Sequence, residues 1–278
     1  MTGSGEIREP MMRETSQPEP PEWELRPDRP HPARVYDYWL GGKDNFAADR
    51  DAARWALREI PQWRDYALGN RKFLARVVRF LCGAGIRQFL DIGSGLPASP
   101  NVHEVARACD PGIRVVYVDN DPMAFLHAEA LMATDPMTSV VRGDLRDPDT
   151  VLRGAAELLD FGKPAALLFA ATLHHVADED DPAAAVARYL PAFAPGSYLV
   201  ISHCTDEFAP EKVHATTAEA RSRGAVFRPR GKDAIRAMFN GRELLEPGLV
   251  LVSRWRPEGG DPGPNADRAW AYAGVATI

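Results

Sequence analysis

Between residues 86 and 203, short apolar runs alternate with segments striped at helical spacing. The runs at 88–92, 114–118, 139–142, 165–171 and 197–203 read as strands. The run at 165–171 is apolar throughout, as in a strand buried on both faces. Between the runs, Val102, Val105, Ala106 and Cys109 form one inner stripe, and Val151, Leu152, Ala155, Leu158 and Leu159 form another. Ser99-Pro100 reads as a helix start, and Pro122 opens the next helix. Residues 182–193 complete the set. Strict alternation predicts a parallel sheet with right-handed helical crossovers. Residues 209–245 predict two or three helices, more than a simple crossover needs. Strands at 249–255 and 269–278, joined by the Gly/Pro-rich stretch 257–264, predict a C-terminal hairpin.

Residues 33–85 predict an all-helical section. Asp44 is the expected cap of a helix over 46–59, and Pro61 starts another. Phe73, Leu74, Val77, Val78 and Leu81 mark one face, and Gly83 and Gly85 end it. Residues 1–32 are rich in Pro and Glu without apolar periodicity, the composition of a disordered leader. The core domain is expected over 86–278.

The chain has 278 residues, 45% of them hydrophobic, which is ample for one large α/β domain. A formal charge of -6 argues against a nucleic-acid partner. Only five of 33 basic residues are lysines, so a coding bias toward arginine is expected and single arginines carry little weight. Cys82, Cys109 and Cys204 match no zinc or disulfide spacing. Without a signal-like or bilayer-spanning run, the expectation is a soluble cytoplasmic protein with no membrane partner.

Candidate chemistry gathers at strand ends. Phe89-Leu90-Asp91-Ile92-Gly93-Ser94-Gly95 is a strand that ends in an acid and a glycine turn, where backbone can approach a ligand. The second strand end supplies Asp119, Asn120 and Asp121, and the third supplies Asp144 and Leu145. The fourth supplies Ala170, Ala171, Thr172, His174 and His175. Open parallel sheets bind ligands at such ends. Asp119 suits both hydroxyls of a ribose, or alternatively a turn or helix cap. Asp144 suits an adenine amine, with Leu145 as an apolar wall. Gly93 to Ala98 also fits the loose dinucleotide pattern. Asp91 opposes that reading, because a like charge about 4 Å from a pyrophosphate costs on the order of 4 kcal/mol at an effective dielectric of about 20. Pro97 also lacks the N–H that a pyrophosphate would use. S-adenosylmethionine (SAM) brings an ammonium and a sulfonium, which a carboxylate favours.

The run from Ala33 to Phe46 (Ala-Arg-Val-Tyr-Asp-Tyr-Trp-Leu-Gly-Gly-Lys-Asp-Asn-Phe) resembles the N-terminal signature of a bacterial family of S-adenosyl methyltransferases of unknown substrate. Asn70-Arg71-Lys72-Phe73-Leu74, the Asp91 block, His174-His175-Val176 and residues 239–248 are similar to its other blocks. The resemblance spans about residues 33–278. It implies a Rossmann-like class I fold, α/β with a mostly parallel seven-stranded sheet, and SAM as cofactor; it names no acceptor.

Methyl transfer is an in-line displacement, so the protein mainly orients the partners. His174 or His175 is the candidate base or acceptor-orienting donor, though one of the pair is expected to pack or bond to backbone. Tyr36, Asp37, Tyr38 and Trp39 are expected to fold over the cofactor as a lid. Asn70 and Arg71, opening a helix, are expected at the methionine carboxylate. The lid and residues 209–245 would wall a small-molecule acceptor pocket. The acids 178–181 read as a complement to a helix dipole rather than a metal site, and no metal is expected. The alternative is a regulatory protein that binds SAM or its demethylated product without turnover.

Overall fold

The computed structural model of the protein describes residues 25–278. Seven strands form one sheet in the order β3-β2-β1-β4-β5-β7-β6. β1 (Gln88–Ile92), β2 (Arg114–Asp119), β3 (Thr138–Arg142), β4 (Ala166–Ala170) and β5 (Tyr198–Cys204) are parallel. β7 (Ala271–Thr277) pairs antiparallel with both β5 and β6 (Val250–Leu251). This is the expected mostly parallel seven-stranded sheet with an antiparallel C-terminal pair.

The helices are α1 (Pro32–Leu40), α2 (Ala47–Glu59), α3 (Gln62–Gly83), α4 (Val102–Arg107), α5 (Pro122–Leu131), α6 (Pro148–Ala155), α7 (Pro182–Tyr189), α8 (Pro210–Ser222) and α9 (Lys232–Ala237). Alternate side chains of each strand point to opposite faces, and the core divides accordingly. Phe89, Val115, Tyr117 and Leu168 pack with α3 and α4. Leu90, Val116, Val118 and Phe169 pack with α6, α7 and α9. Each fully buried aliphatic or Phe side chain contributes about 1.5–3 kcal/mol.

Several boundaries differ from the sequence reading. α2 begins at Ala47, and its start is held by Asp49, whose carboxylate accepts from the Phe46 N–H at 2.8 Å. Asp44 does not cap it; its own N–H donates to Asp37 at 3.0 Å. α4 begins after Asn101, whose N–H donates to Glu104 at 2.6 Å. α3 starts two turns before Asn70, because Trp63, Tyr66, Ala67, Asn70, Phe73 and Leu74 form one continuous buried stripe. β6 keeps two of its seven expected residues. Trp255 leaves the sheet edge to dock edge-on against Phe73 and Phe80 of α3, at 5.5 and 5.6 Å between ring centroids.

Residues 1–24 of the expected 1–32 leader lie outside the described residues. Residues 25–31 are tied down by Arg34 of α1, which donates to the carbonyls of Arg26 and Arg29 at 3.1 and 2.9 Å. The Arg34 guanidinium also bonds Asp49 of α2 at 3.0 Å and Asp121 at the start of α5 at 3.2 Å. All three side chains are almost wholly buried. One cation thus holds α1 to two other helices. Arg34→Met takes the guanidinium from two buried carboxylates, leaving them backbone N–H donors and, at Asp121, the His31 ring. The expected loss is about 3–5 kcal/mol of stability, read by urea denaturation; a loss under about 1 kcal/mol would show that the network is not a clamp.

Candidate functional site

β1 lies between β2 and β4, so the strand order reverses beside it. A crevice forms at the carboxyl ends of the strands at such a point. Here it is a cavity of about 340 Å³. Its floor is the turn after β1, where Gly93 and Gly95 have φ of 73° and 65°. A Cβ on Gly93 would lie 1.9 Å from Thr172 Oγ1, so only glycine lets this turn sit against the end of β4. The N–H groups of Gly93 and Ser94 donate to the Val118 carbonyl at 2.8 and 3.1 Å, fastening the turn to β2. The Ser94 hydroxyl is buried and, among the described residues, has no hydrogen-bond partner.

Asp91 is 4% exposed, and among the described residues no group donates a hydrogen bond to its carboxylate. Burial pushes its pKa up to about 7; the Arg71 charge opposes this and the Asp119 charge adds to it. Asp119, at the end of β2, accepts from the Gly95 N–H at 2.7 Å and from the Asp121 N–H at 2.9 Å. Burial raises its pKa as well, against the pull of those two N–H groups. Each Asp119 oxygen keeps a second lone pair for a ligand hydroxyl.

Asn120, Asp144, Leu145 and Ala170 also line the cavity. Asp144 is half-buried, which alone would raise its pKa, but bonds from Arg146 outweigh this and hold it low. Arg71 lines the opposite wall from the middle of α3, not from a helix start. Its guanidinium donates to the carbonyls of Ala98 and Pro100. Asp121 does not reach the cavity. Its Oδ1 caps α5 by accepting from Met123 and Ala124 N–H at 3.0 and 2.9 Å, and its Oδ2 meets Arg34.

A second, mainly apolar cavity of about 90 Å³ adjoins the first. Tyr36 and His175 line both. Trp39 lines the second, whereas Tyr38 of the expected lid lines neither. Tyr36 is fixed by a polar chain that crosses from the sheet to α1. Ser202 of β5 donates to Asn70 Oδ1 at 2.5 Å, Asn70 Nδ2 donates to the Tyr36 hydroxyl at 3.0 Å, and that hydroxyl donates to the Ala67 carbonyl at 3.0 Å. Asn70 is therefore a strut as well as a cavity wall.

The two histidines differ. His174 is 1% exposed, with Nδ1 accepting from the Cys204 N–H at 3.4 Å and Nε2 3.3 Å from the Tyr66 hydroxyl. Burial and the neighbouring His175 hold its pKa well below the usual histidine range. His175 is partly exposed, and its Nδ1 lies 2.8 Å from the Val226 carbonyl. The neutral ring therefore carries its proton on Nδ1, and Nε2 keeps a lone pair. Burial lowers its pKa to about 4, although the Val226 bond raises it.

Sequence reading missed Trp55 and Tyr66, which line the second cavity; Ala225-Val226-Phe227, which line it too, belong to the 209–245 segment expected to wall an acceptor pocket. Tyr66 sits on the buried stripe of α3 and reads there as core. Residues 225–227 arrive from the far side because Arg228 N–H donates to the His174 carbonyl at 2.7 Å and Arg230 N–H to Cys204 at 3.1 Å. The acids at 178–181 serve the fold. Asp181 caps α7, Asp178 pairs with Arg230 at 2.6 Å, and Asp180 pairs with Arg146 at 3.1 Å. Among the described residues no group of three candidate metal ligands comes together, and no helix is long and apolar enough to cross a membrane.

The residues present fit SAM. Asp91 has no donor and suits a cation, Ser94 offers an unused hydroxyl, and the Gly93 turn leaves backbone bare. A diphosphate would meet the Asp91 charge.

A family model described as S-adenosyl methyltransferase matches residues 18–278. The fold is similar to that of a DUF574-family protein of Streptomyces avermitilis (40% identity, 90% of this chain and 98% of that one, TM-score 0.85). It is equally similar to a candidate methyltransferase of Thermobifida fusca (42% identity, 90% of this chain and 95% of that one, TM-score 0.83). No curated protein matches the chain. With the sheet order, the turn after β1 and this match over the whole described chain, the protein belongs to the S-adenosyl methyltransferase family.

Proposed function

We propose that this SAM-dependent methyltransferase binds its cofactor in the larger cavity and a small-molecule acceptor in the smaller one. The observation that carries the reading is the buried, donor-free Asp91 carboxylate at the switch point. Asp91 would hold the α-ammonium, and Asp119 would accept from the ribose hydroxyls. Asp144, Asn120 and Leu145 would receive the adenine. Ser94, the Gly93 turn, Ala170 and Arg71 would border the amino-acid portion. When bound, SAM supplies an electrophilic methyl group on a sulfonium.

The chain's own residues orient and exclude water. Tyr36, fixed through Asn70, separates the two cavities, and Trp39 backs the smaller one. His175 borders both, so it is the better of the two candidate bases; both ring nitrogens of His174 already face protein groups. The three free thiols favour a reducing compartment, the cytoplasm.

Binding should depend on pH through Asp91. Its pKa is about 7 in the free protein, and a cationic ligand favours the ionised form. Below that pH, binding must expel a proton. SAM affinity should therefore rise roughly tenfold per pH unit up to about 7 and level off above. Calorimetry in buffers of different ionisation enthalpy reads the released proton. Asp91→Asn should lose roughly 10–100-fold in affinity and the pH dependence with it. A pH-independent affinity in the wild-type protein would remove Asp91 from the site.

Asp119→Ala should weaken SAM by about 1–3 kcal/mol, the scale of a lost buried hydrogen-bonding partner. Unchanged affinity in the same titration would move the ribose elsewhere.

A further inference from the structure

We propose that the acceptor is an uncharged, single-ring hydroxyarene, its ring in the smaller cavity and its hydroxyl donating to His175 Nε2. The proposal rests on the cofactor assignment above for its methyl donor, and on the walls of the second cavity for everything else.

The walls set the ring. Tyr36, Trp39, Trp55, Tyr66 and Phe227 line the space. Aromatic faces and edges pair favourably with another ring. The volume sets the size. Benzene occupies an engineered apolar cavity of about 150 Å³, so about 90 Å³ with an open side admits one six-membered ring at most.

The polar groups set the charge. Glu219 at the α8 wall is already paired with Arg223 at 2.6 Å. An ammonium would find no free carboxylate there, and a carboxylate no free guanidinium. The hydroxyls of Tyr36 and Tyr66 and both ring nitrogens of His174 face protein partners. His175 lines both cavities, and its Nε2 has, among the described residues, no hydrogen-bond partner. One hydrogen bond from an acceptor hydroxyl therefore satisfies His175, at the boundary where the methyl group must cross.

The step balances. A lone pair on the phenol oxygen forms the new O–C bond as the C–S bond breaks with its electron pair on sulfur. The phenol proton passes to His175 Nε2, so the positive charge leaves sulfur and arrives on the imidazole. The imidazolium then returns its proton to solvent. A weakly basic ring is regenerated readily.

The test uses 4-fluorophenol, followed by fluorine NMR on the full chain without SAM. Binding is expected, with benzylammonium, benzoate and 2-naphthol each at least tenfold weaker. Ala220→Phe, which fills the cavity from α8, should weaken 4-fluorophenol at least tenfold while SAM affinity by calorimetry stays within threefold. Trp55→Ala, at a partly exposed position, should admit 2-naphthol. With SAM added, the wild-type protein should form 4-fluoroanisole, and His175→Gln should lose roughly 100-fold in kcat with KM within threefold. Tighter binding of benzylammonium or benzoate, 4-fluorophenol binding indifferent to Ala220→Phe, or full turnover by His175→Gln would each overturn the proposal. A missing calorimetric response to SAM would instead overturn the cofactor assignment, while the fluorine measurement still decides the ring site.

Discussion

The Asp91 carboxylate is the constraint around which the site is built. It lies on the α3-facing side of the central strand, largely buried at the wall of the larger cavity, and among the described residues no N–H serves it. Arg71 is the cation acting on it, but that guanidinium also bonds the carbonyls of Ala98 and Pro100. The apo fold is penalised as a result. An unfolded Asp ionises near 3.8 while the folded one holds its proton to about 7. Across that window the unfolded state binds fewer protons, so stability falls as pH rises, by roughly 1.4 kcal/mol per unit for this group. A bound cation restores the balance, which makes the strain specific for ligands of one charge.

The rest of the structure keeps that carboxylate where a ligand meets it. The glycine turn fits against Thr172 with no room for a side chain. Asp119 ties the turn to the end of β2 through the Gly95 N–H. Arg34 fixes α1 to α2 and α5, and the Ser202–Asn70–Tyr36 chain fixes α1 to the sheet. α1 is thus a packed part of the domain, and Tyr36 within it lines both the polar cleft and the apolar pocket. Orientation of two reactants is what an in-line displacement needs most.

Charge in this chain has to be sorted by burial. Composition argues for discounting single arginines, and that serves for exposed pairs such as Arg54 with Asp51, which contribute little. It fails for Arg34 and Arg230, whose guanidinium groups are largely buried among carbonyls and carboxylates. Asp121 shows the same limit from the other side. At a strand end it resembles a ligand, yet Pro122 behind it starts a helix and Asp121 caps that helix.

The sequence alone determined the alternation of five strands with crossover helices, the C-terminal antiparallel pair and the acid-plus-glycine turn. Each of these is a local pattern: period, turn chemistry or a proline start, all set by neighbours in the chain. It also brought Asp91, Gly93, Asp119, Asp144 and His175 to strand ends, because parallel strands align their carboxyl termini on one side. The tertiary structure decided what long-range packing sets. It made Asn70 a mid-helix strut, drew Trp255 off the sheet edge, and separated His175, with Nδ1 spent on a carbonyl from residue 226, from the enclosed His174. The smaller cavity lies where residues 30–31, α1, α2, α3, the 174–175 segment, α8 and the 225–227 segment converge, and no stretch of sequence carries a pattern for a space enclosed by such distant pieces of chain.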